Sequence, residues 1–155
     1  MSRVHRRLQA TPREVWAVLA DPWLYASWVV GASRIRDVEG HWPEAGALIH
    51  HSIGVWPLLL DDSTSVTSSS PGSELRLRAR GKVLGEADVV LRLEDDGPGC
   101  TVTMLEWAVK GAGSWVPSPV VDPLVSWRNT EALRRLALIV EGRLRSGQAR
   151  GTPSP

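Results

Sequence analysis

Phenylalanine is missing from this sequence, tyrosine and cysteine occur once each, and methionine occurs twice. A single cysteine, Cys100, excludes an intramolecular disulfide and any metal site built from several thiolates. It fits a reducing, cytoplasmic setting. Charge of one sign is lacking too: 18 basic against 17 acidic residues leave a net +1. No overall field therefore draws nucleic acid or an anionic membrane. No run of the sequence approaches the roughly 18 apolar residues of a membrane span. The basic start, Met-Ser-Arg-Val-His-Arg-Arg, lacks the apolar stretch that a secretory signal needs behind it. The expectations are a cytoplasmic protein with neither membrane insertion nor a nucleic-acid partner.

What is present is tryptophan. Eight of them, Trp16, Trp23, Trp28, Trp42, Trp56, Trp107, Trp115 and Trp127, are spread along 155 residues. Each is a candidate for core volume or for a pocket wall, since a large flat apolar face with one N–H donor suits mixed ligands. Arginine outnumbers lysine sixteen to two, a bias that carries no functional weight. A hydrophobic fraction of 43% and a charged fraction of 23% are those of an ordinary globular chain.

The order of elements follows from periodicity and punctuation. Residues 3–9 read as a first strand. Thr11-Pro12-Arg13-Glu14 opens a short helix: Thr11 caps, Pro12 sits where its missing N–H costs nothing, and Glu14 returns a bond to Thr11. Asp21-Pro22 breaks that helix, and Asp21 caps a second one through about Trp28. Strand-like stretches follow at 34–39, 47–55, 58–68, 74–80, 86–93 and 101–108. Leu75, Leu77 and Ala79 alternate with Arg76, Arg78 and Arg80, and Ala87, Val89, Leu91 and Leu93 repeat the pattern. Antiparallel meanders with one wet face produce this alternation. Residues 123–145 then read as one long helix, with Leu133, Leu136, Ala137, Val140 and Leu144 as its apolar stripe. The expected unit is a single domain over 1–146 with a disordered tail at 147–155. A bent sheet spanned by one helix is not completely filled, and the remainder is a cavity.

Several segments in this order resemble the START-like, or SRPBCC, superfamily, whose bacterial members include polyketide cyclase/dehydrase-like proteins. They are Glu14-Val15-Trp16-Ala17-Val18-Leu19-Ala20-Asp21-Pro22, Trp28-Val29 with Gly31, and Gly40-His41-Trp42-Pro43-Glu44-Ala45-Gly46. Gly99-Cys100-Thr101-Val102-Thr103-Met104-Leu105-Glu106, and Arg128-Asn129 with Leu133, Leu136 and Ala137, complete the likeness over about 3–145. The resemblance implies an α+β helix-grip fold: a curved antiparallel sheet of about seven strands around a long C-terminal helix, with two short helices after the first strand. It implies a hydrophobic small-molecule partner, lipid-like or aromatic and polyketide-type, in a pocket between sheet and helix; no cofactor is expected. The metal ligands of ring-hydroxylating members have no clear counterpart, and the residues for an iron–sulfur cluster are absent. Members range from carriers to cyclases, so activity does not follow from fold.

The pocket wall is expected to include Trp42, His50, Leu58, Leu60, Leu77, Val89, Leu91, Met104, Glu106, Leu124 and Arg128. His50 and His51 are adjacent in a strand and point to opposite faces, so they do not share a metal, and no metal site is expected. His50 is the nominee for the inward one, as acid, base or hydrogen-bond donor, against the alternative of a satisfied or exposed histidine. Glu106 shares parity with Val102 and Met104. If those two face the helix, Glu106 is carried inward, and a bulge would reverse it. A buried carboxylate must be paired or protonated, and Arg128 is one possible partner. Glu106 is then either a structural ion pair at the cavity mouth or a group that orients a ligand or moves a proton. Three functions stay open: small-molecule binding, a cyclase or dehydratase using His50 and Glu106, and a protein-interaction module.

Overall fold

Seven antiparallel strands form one sheet in the order β1-β7-β6-β5-β4-β3-β2. The computed structural model describes residues 1–55, 58–81, 85–111 and 118–150; at 55, 58, 59, 118–121, 149 and 150 only the backbone element is defined. The strands are β1 (Ser2–Leu8), β2 (Ala32–Glu39), β3 (Leu48–Val55), β4 (Leu58–Ser70), β5 (Glu74–Gly81), β6 (Gly85–Asp95) and β7 (Cys100–Lys110). Between β1 and β2 lie α1 (Pro12–Leu19), a 3-10 turn (Pro22–Leu24) and α2 (Tyr25–Trp28). The chain ends in α3 (Ser118–Arg150). This is the helix-grip arrangement expected from the sequence.

The local signals act as read. Thr11 and Glu14 form the capping box of α1, with Glu14 N donating to Thr11 Oγ1 and Thr11 N donating to Glu14 Oε2 at 2.7 Å. Asp21 accepts from the Trp23 amide at 3.1 Å and starts the 3-10 turn. α3 differs from the expected 123–145 at both ends. It begins at Ser118, so Pro119 takes the first-turn place that Pro123 was given, and Pro123 lies inside the helix. It continues to Arg150 through residues read as a tail; residues 151–155 lie outside those described.

Register shifts bend the sheet. They occur within β2, between Val66 and Ser68 in β4, and between Glu86 and Ala87 in β6. Each such irregularity increases local bend and twist. Gly85 has φ +91°, and a Cβ there would collide with the Lys110 carbonyl, so the β5–β6 end can turn against β7 only with glycine.

The concave face carries three adjacent rows whose side-chain sizes differ. One row, Leu75–Leu91–Met104, is large and buried. The next, Val66–Leu77–Val89–Glu106, ends in a carboxylate. The third, Thr64–Ala79–Ala87–Ala108, is small throughout. α3 lays Ala132, Leu133, Leu136, Ala137 and Val140, all buried, over the large rows. Burial of each larger side chain contributes about 1.5–3 kcal/mol. Where the row is alanine, the helix meets no side chain long enough to fill the gap.

Outside, the sheet is a ladder of ion pairs. Arg76 and Arg92 bracket Glu74 at 2.6 and 2.9 Å, and Arg78 bonds Asp88 through two nitrogens at 2.7 and 2.9 Å. The row Arg76, Arg78 and Arg80 is thus occupied across β5 and β6, which leaves no unpaired basic stripe there.

Candidate functional site

The gap under α3 is a cavity of about 390 Å³. Its wall combines Ala79, Ala87 and Ala108 from the sheet with Leu77, Val89 and Met104 beside them. Tyr25 and Trp28 from α2, Val29 and Val30 after it, Ile53 from β3, Trp107 from β7, and Val125 and Ala132 from α3 add to the apolar part. Trp28 is 1% exposed and meets Tyr25 edge-on at 5.5 Å between centroids. Asp62, Ser63, Arg80, Glu86 and Asp122 also border the cavity, and two hydrogen-bonded networks lie within the lining.

The first is Tyr25–Thr64–His51. The Tyr25 hydroxyl and His51 Nε2 each lie 3.0 Å from Thr64 Oγ1, and the Tyr25 and His51 rings are 5.3 Å apart. Burial pushes the Tyr25 phenol up to about 12, so it remains protonated and able to donate. Burial also lowers the His51 pKa from 6.5, opposed by Asp62 and reinforced by Arg36 and His50. His51 Nδ1 is the only enclosed side-chain polar atom among the described residues without a hydrogen-bond partner.

A depressed folded-state pKa gives His51 a defined sign. Below 6.5 the unfolded chain binds a proton that the folded chain resists, so stability is lost as pH falls. Thermal unfolding of His51→Gln between about pH 7.5 and pH 5 is expected to show a smaller acid-induced drop in Tm than wild type. An equal drop in both would assign the acid sensitivity elsewhere.

The second polar group is Glu106–Arg128–Asn129. Glu106, 8% exposed, receives Arg128 Nη2 and, at 2.8 Å, Asn129 Nδ2. Both donors land on Oε2. Arg128 also donates to Asn129 Oδ1 at 3.2 Å, closing a three-membered network at the α3–β7 junction. The two donors on Oε2 fix the orientation of the Glu106 carboxylate and hold it against the cavity.

Of the wall expected from sequence, Leu77, Val89, Met104, Glu106 and Arg128 line the cavity. His50 does not. It faces the outer side, with Nε2 2.6 Å from Glu39, while His51 shares the inward parity of Ile49 and Ile53. Trp42 sits behind the wall: its Nε1 donates to the Leu19 carbonyl at 3.0 Å and its ring packs edge-on against Tyr25. Leu91 is fully buried in the large row and fills core volume. Leu60 has the parity of Thr64 and Val66, but lies beyond the covered part of the sheet and is 45% exposed. Leu124 is 68% exposed because it lies opposite the Asp122–Ser126–Asn129 side of α3 that meets the sheet. The Leu58 side chain lies outside the described residues.

Tyr25, Trp28, His51, Thr64 and Asn129 were not singled out as wall residues from sequence. For His51 the signal was its place between Ile49 and Ile53. For Asn129 it was its spacing of four from Leu133 on the buried stripe.

A family model described as polyketide cyclase / dehydrase and lipid transport matches residues 2–141. The chain belongs to this family. It is thereby a START-like protein of the SRPBCC group, as the order of its segments suggested. No protein with a curated description matches it. Among solved structures it is similar to the Zhui aromatase/cyclase from Streptomyces sp. R1128, with 16% identity, 94% of this chain and 95% of that one covered, and a TM-score of 0.68. Ara h 8.0201 is similar at 11% identity, with 90% and 96% covered and a TM-score of 0.70. A conserved protein from Geobacillus kaustophilus matches at 15% identity, with 90% and 94% covered and a TM-score of 0.70. At these identities the likeness establishes the fold of a polyketide cyclase/dehydrase family member. No helix among the described residues is long and apolar enough to cross a membrane. No cluster of three metal-ligating side chains occurs among them either.

Proposed function

We infer that this family member binds a hydrophobic small molecule, aromatic or lipid-like, in the cavity under α3, as a cytoplasmic protein with its thiol reduced. The observation that carries the reading is the cavity itself: about 390 Å³, walled in large part by aromatic and aliphatic side chains, with two hydrogen-bonded polar networks among them and further charged residues at Asp62, Arg80, Glu86 and Asp122. Ligand sites typically have roughly 300–1,000 Å³ and this mixture of lining. The similarity to an aromatase/cyclase favours a flat polycyclic guest over a purely aliphatic one.

The test is native mass spectrometry against a panel of apolar compounds, paired with quenching of intrinsic fluorescence. Trp28 and Trp107 line the cavity, so an occupant is expected to change their emission. Bound mass for aromatic compounds, with quenching that saturates at one equivalent, is the expected result. A panel that leaves both signals unchanged would sink the reading.

Chemistry on the bound molecule is a second reading, favoured by one observation: His51 and Glu106 line the same cavity. His51 replaces His50 in the pair that the sequence suggested. Neutral His51 is suited to take a proton, and the phenol of Tyr25 reaches it through Thr64. Once a substrate is identified, unaltered turnover in His51→Gln and Glu106→Gln would remove this reading.

A further inference from the structure

Glu106 has two carboxylate oxygens, and the protein uses one. Arg128 and Asn129 both donate to Oε2. No donor among the described residues reaches Oε1. Were Oε1 sealed in protein it would stand among the enclosed unpartnered atoms, and the only such atom among the described residues is His51 Nδ1. Oε1 therefore borders open space. Glu106 is 8% exposed and lines the cavity, so the open space it borders is the cavity.

Deepening the ligand-binding reading, and resting on it, we propose that Glu106 is the selecting residue of this cavity. Its Oε1 takes an O–H or N–H from one end of the bound molecule and rejects the same molecule ended by an ether or a carboxylate. The reasons are local. An acceptor among apolar side chains loses its water when the cavity fills, and only a donor on the guest replaces that bond. An ether leaves Oε1 desolvated and unpaired. A guest carboxylate places a second negative charge beside the first, while the cations that line the cavity are already engaged: Arg128 serves Glu106 and Asn129, Arg80 pairs with Glu86, and the Met1 ammonium pairs with Asp122. Sites built to bond a hydroxyl discriminate most strongly in this way, because the penalty falls on their own buried polar group.

Three probes of nearly equal shape separate the cases: naphthol, its methyl ether, and naphthoate, titrated into the full chain by calorimetry or fluorescence quenching. Naphthol is expected to bind at least about tenfold more tightly than either of the others. Glu106→Gln keeps the size and an acceptor oxygen but removes the charge, which frees Arg128. In that variant naphthoate is expected to gain at least about tenfold over its wild-type affinity, so that the ranking inverts. The wild-type ranking decides the matter even if the variant folds poorly. Equal binding of the three, or naphthoate tightest in wild type, overturns the selection by Glu106 while leaving ligand binding intact. If none of the three binds, the ligand-binding reading falls first and this one with it.

Discussion

Replacing Ala87 with leucine is expected to lower ligand affinity about 100-fold while the protein remains folded. Ala87 pairs with Ala79 on one side and Ala108 on the other, in the row where the sheet supplies no large side chain. All three line the cavity. A leucine at the centre of the row adds its branched end to empty space, so the overpacking that penalises insertions into a filled core does not arise. Filling a void commonly raises stability, and Tm is expected to hold or rise. The affinity falls because the new methyl groups take the contacts that the guest would make, at about 25 cal/mol per Å² of apolar surface. Ala17→Leu, at an exposed position on α1, is the control for the added side chain. An Ala87→Leu protein that binds the hits of the mass-spectrometric panel as wild type does would show that the guest sits elsewhere.

The alanine row also shows how far the sequence could be read. Alternation placed Ala79 and Ala87 on the same face as Leu77 and Val89, and that face is the concave one. Parity tells a side chain's direction, and it succeeded for Glu106 because β7 keeps its register with β6 from Ala108 to Cys100. The size pattern across strands depends on register, which no single strand contains. Only the pairing Ala79–Ala87–Ala108 reveals that three small residues from separate segments lie side by side.

His50 against His51 failed for a different reason. Both faces of β3 carry a histidine, and what decides between them is which neighbours share the core: Ile49 at 0% exposure fixes the odd-numbered face inward. Leu124 was lost to helix phase. The buried stripe from Leu133 to Val140 was correctly identified, and extending it backward by fours and threes reaches Asn129 and Ser126, not Leu124. The polar residues on that stripe read as interruptions in the sequence. In the fold they are contacts: Ser126 with Ser2 at 2.9 Å, Asn129 with Glu106 at 2.8 Å.

This division along α3 sets the second large expectation, a loss of about 3 kcal/mol in Leu136→Ala measured by urea unfolding. Leu136 is 0% exposed within the stripe that covers the large rows, and truncation there removes apolar burial and leaves a void that the packed neighbours cannot close. Two turns toward the N-terminus the attachment changes in kind. Asp122 meets the Met1 ammonium at 3.1 Å, Ser126 meets Ser2, and Arg128 and Asn129 meet Glu106. The first of these is exposed, with side chains 62% and 38% accessible, so it adds little. Ser126→Ala is accordingly expected to cost about 1 kcal/mol. Leu138, on the far side of the helix and 52% exposed, is expected to tolerate alanine within about 0.5 kcal/mol. The order Leu136, Ser126, Leu138 follows from a helix clamped to the core by its second half and held over the cavity by hydrogen bonds along its first. Costs for Ser126→Ala that match those for Leu136→Ala would mean that the front half is as firmly packed as the back, and the volume beneath it would then need another explanation.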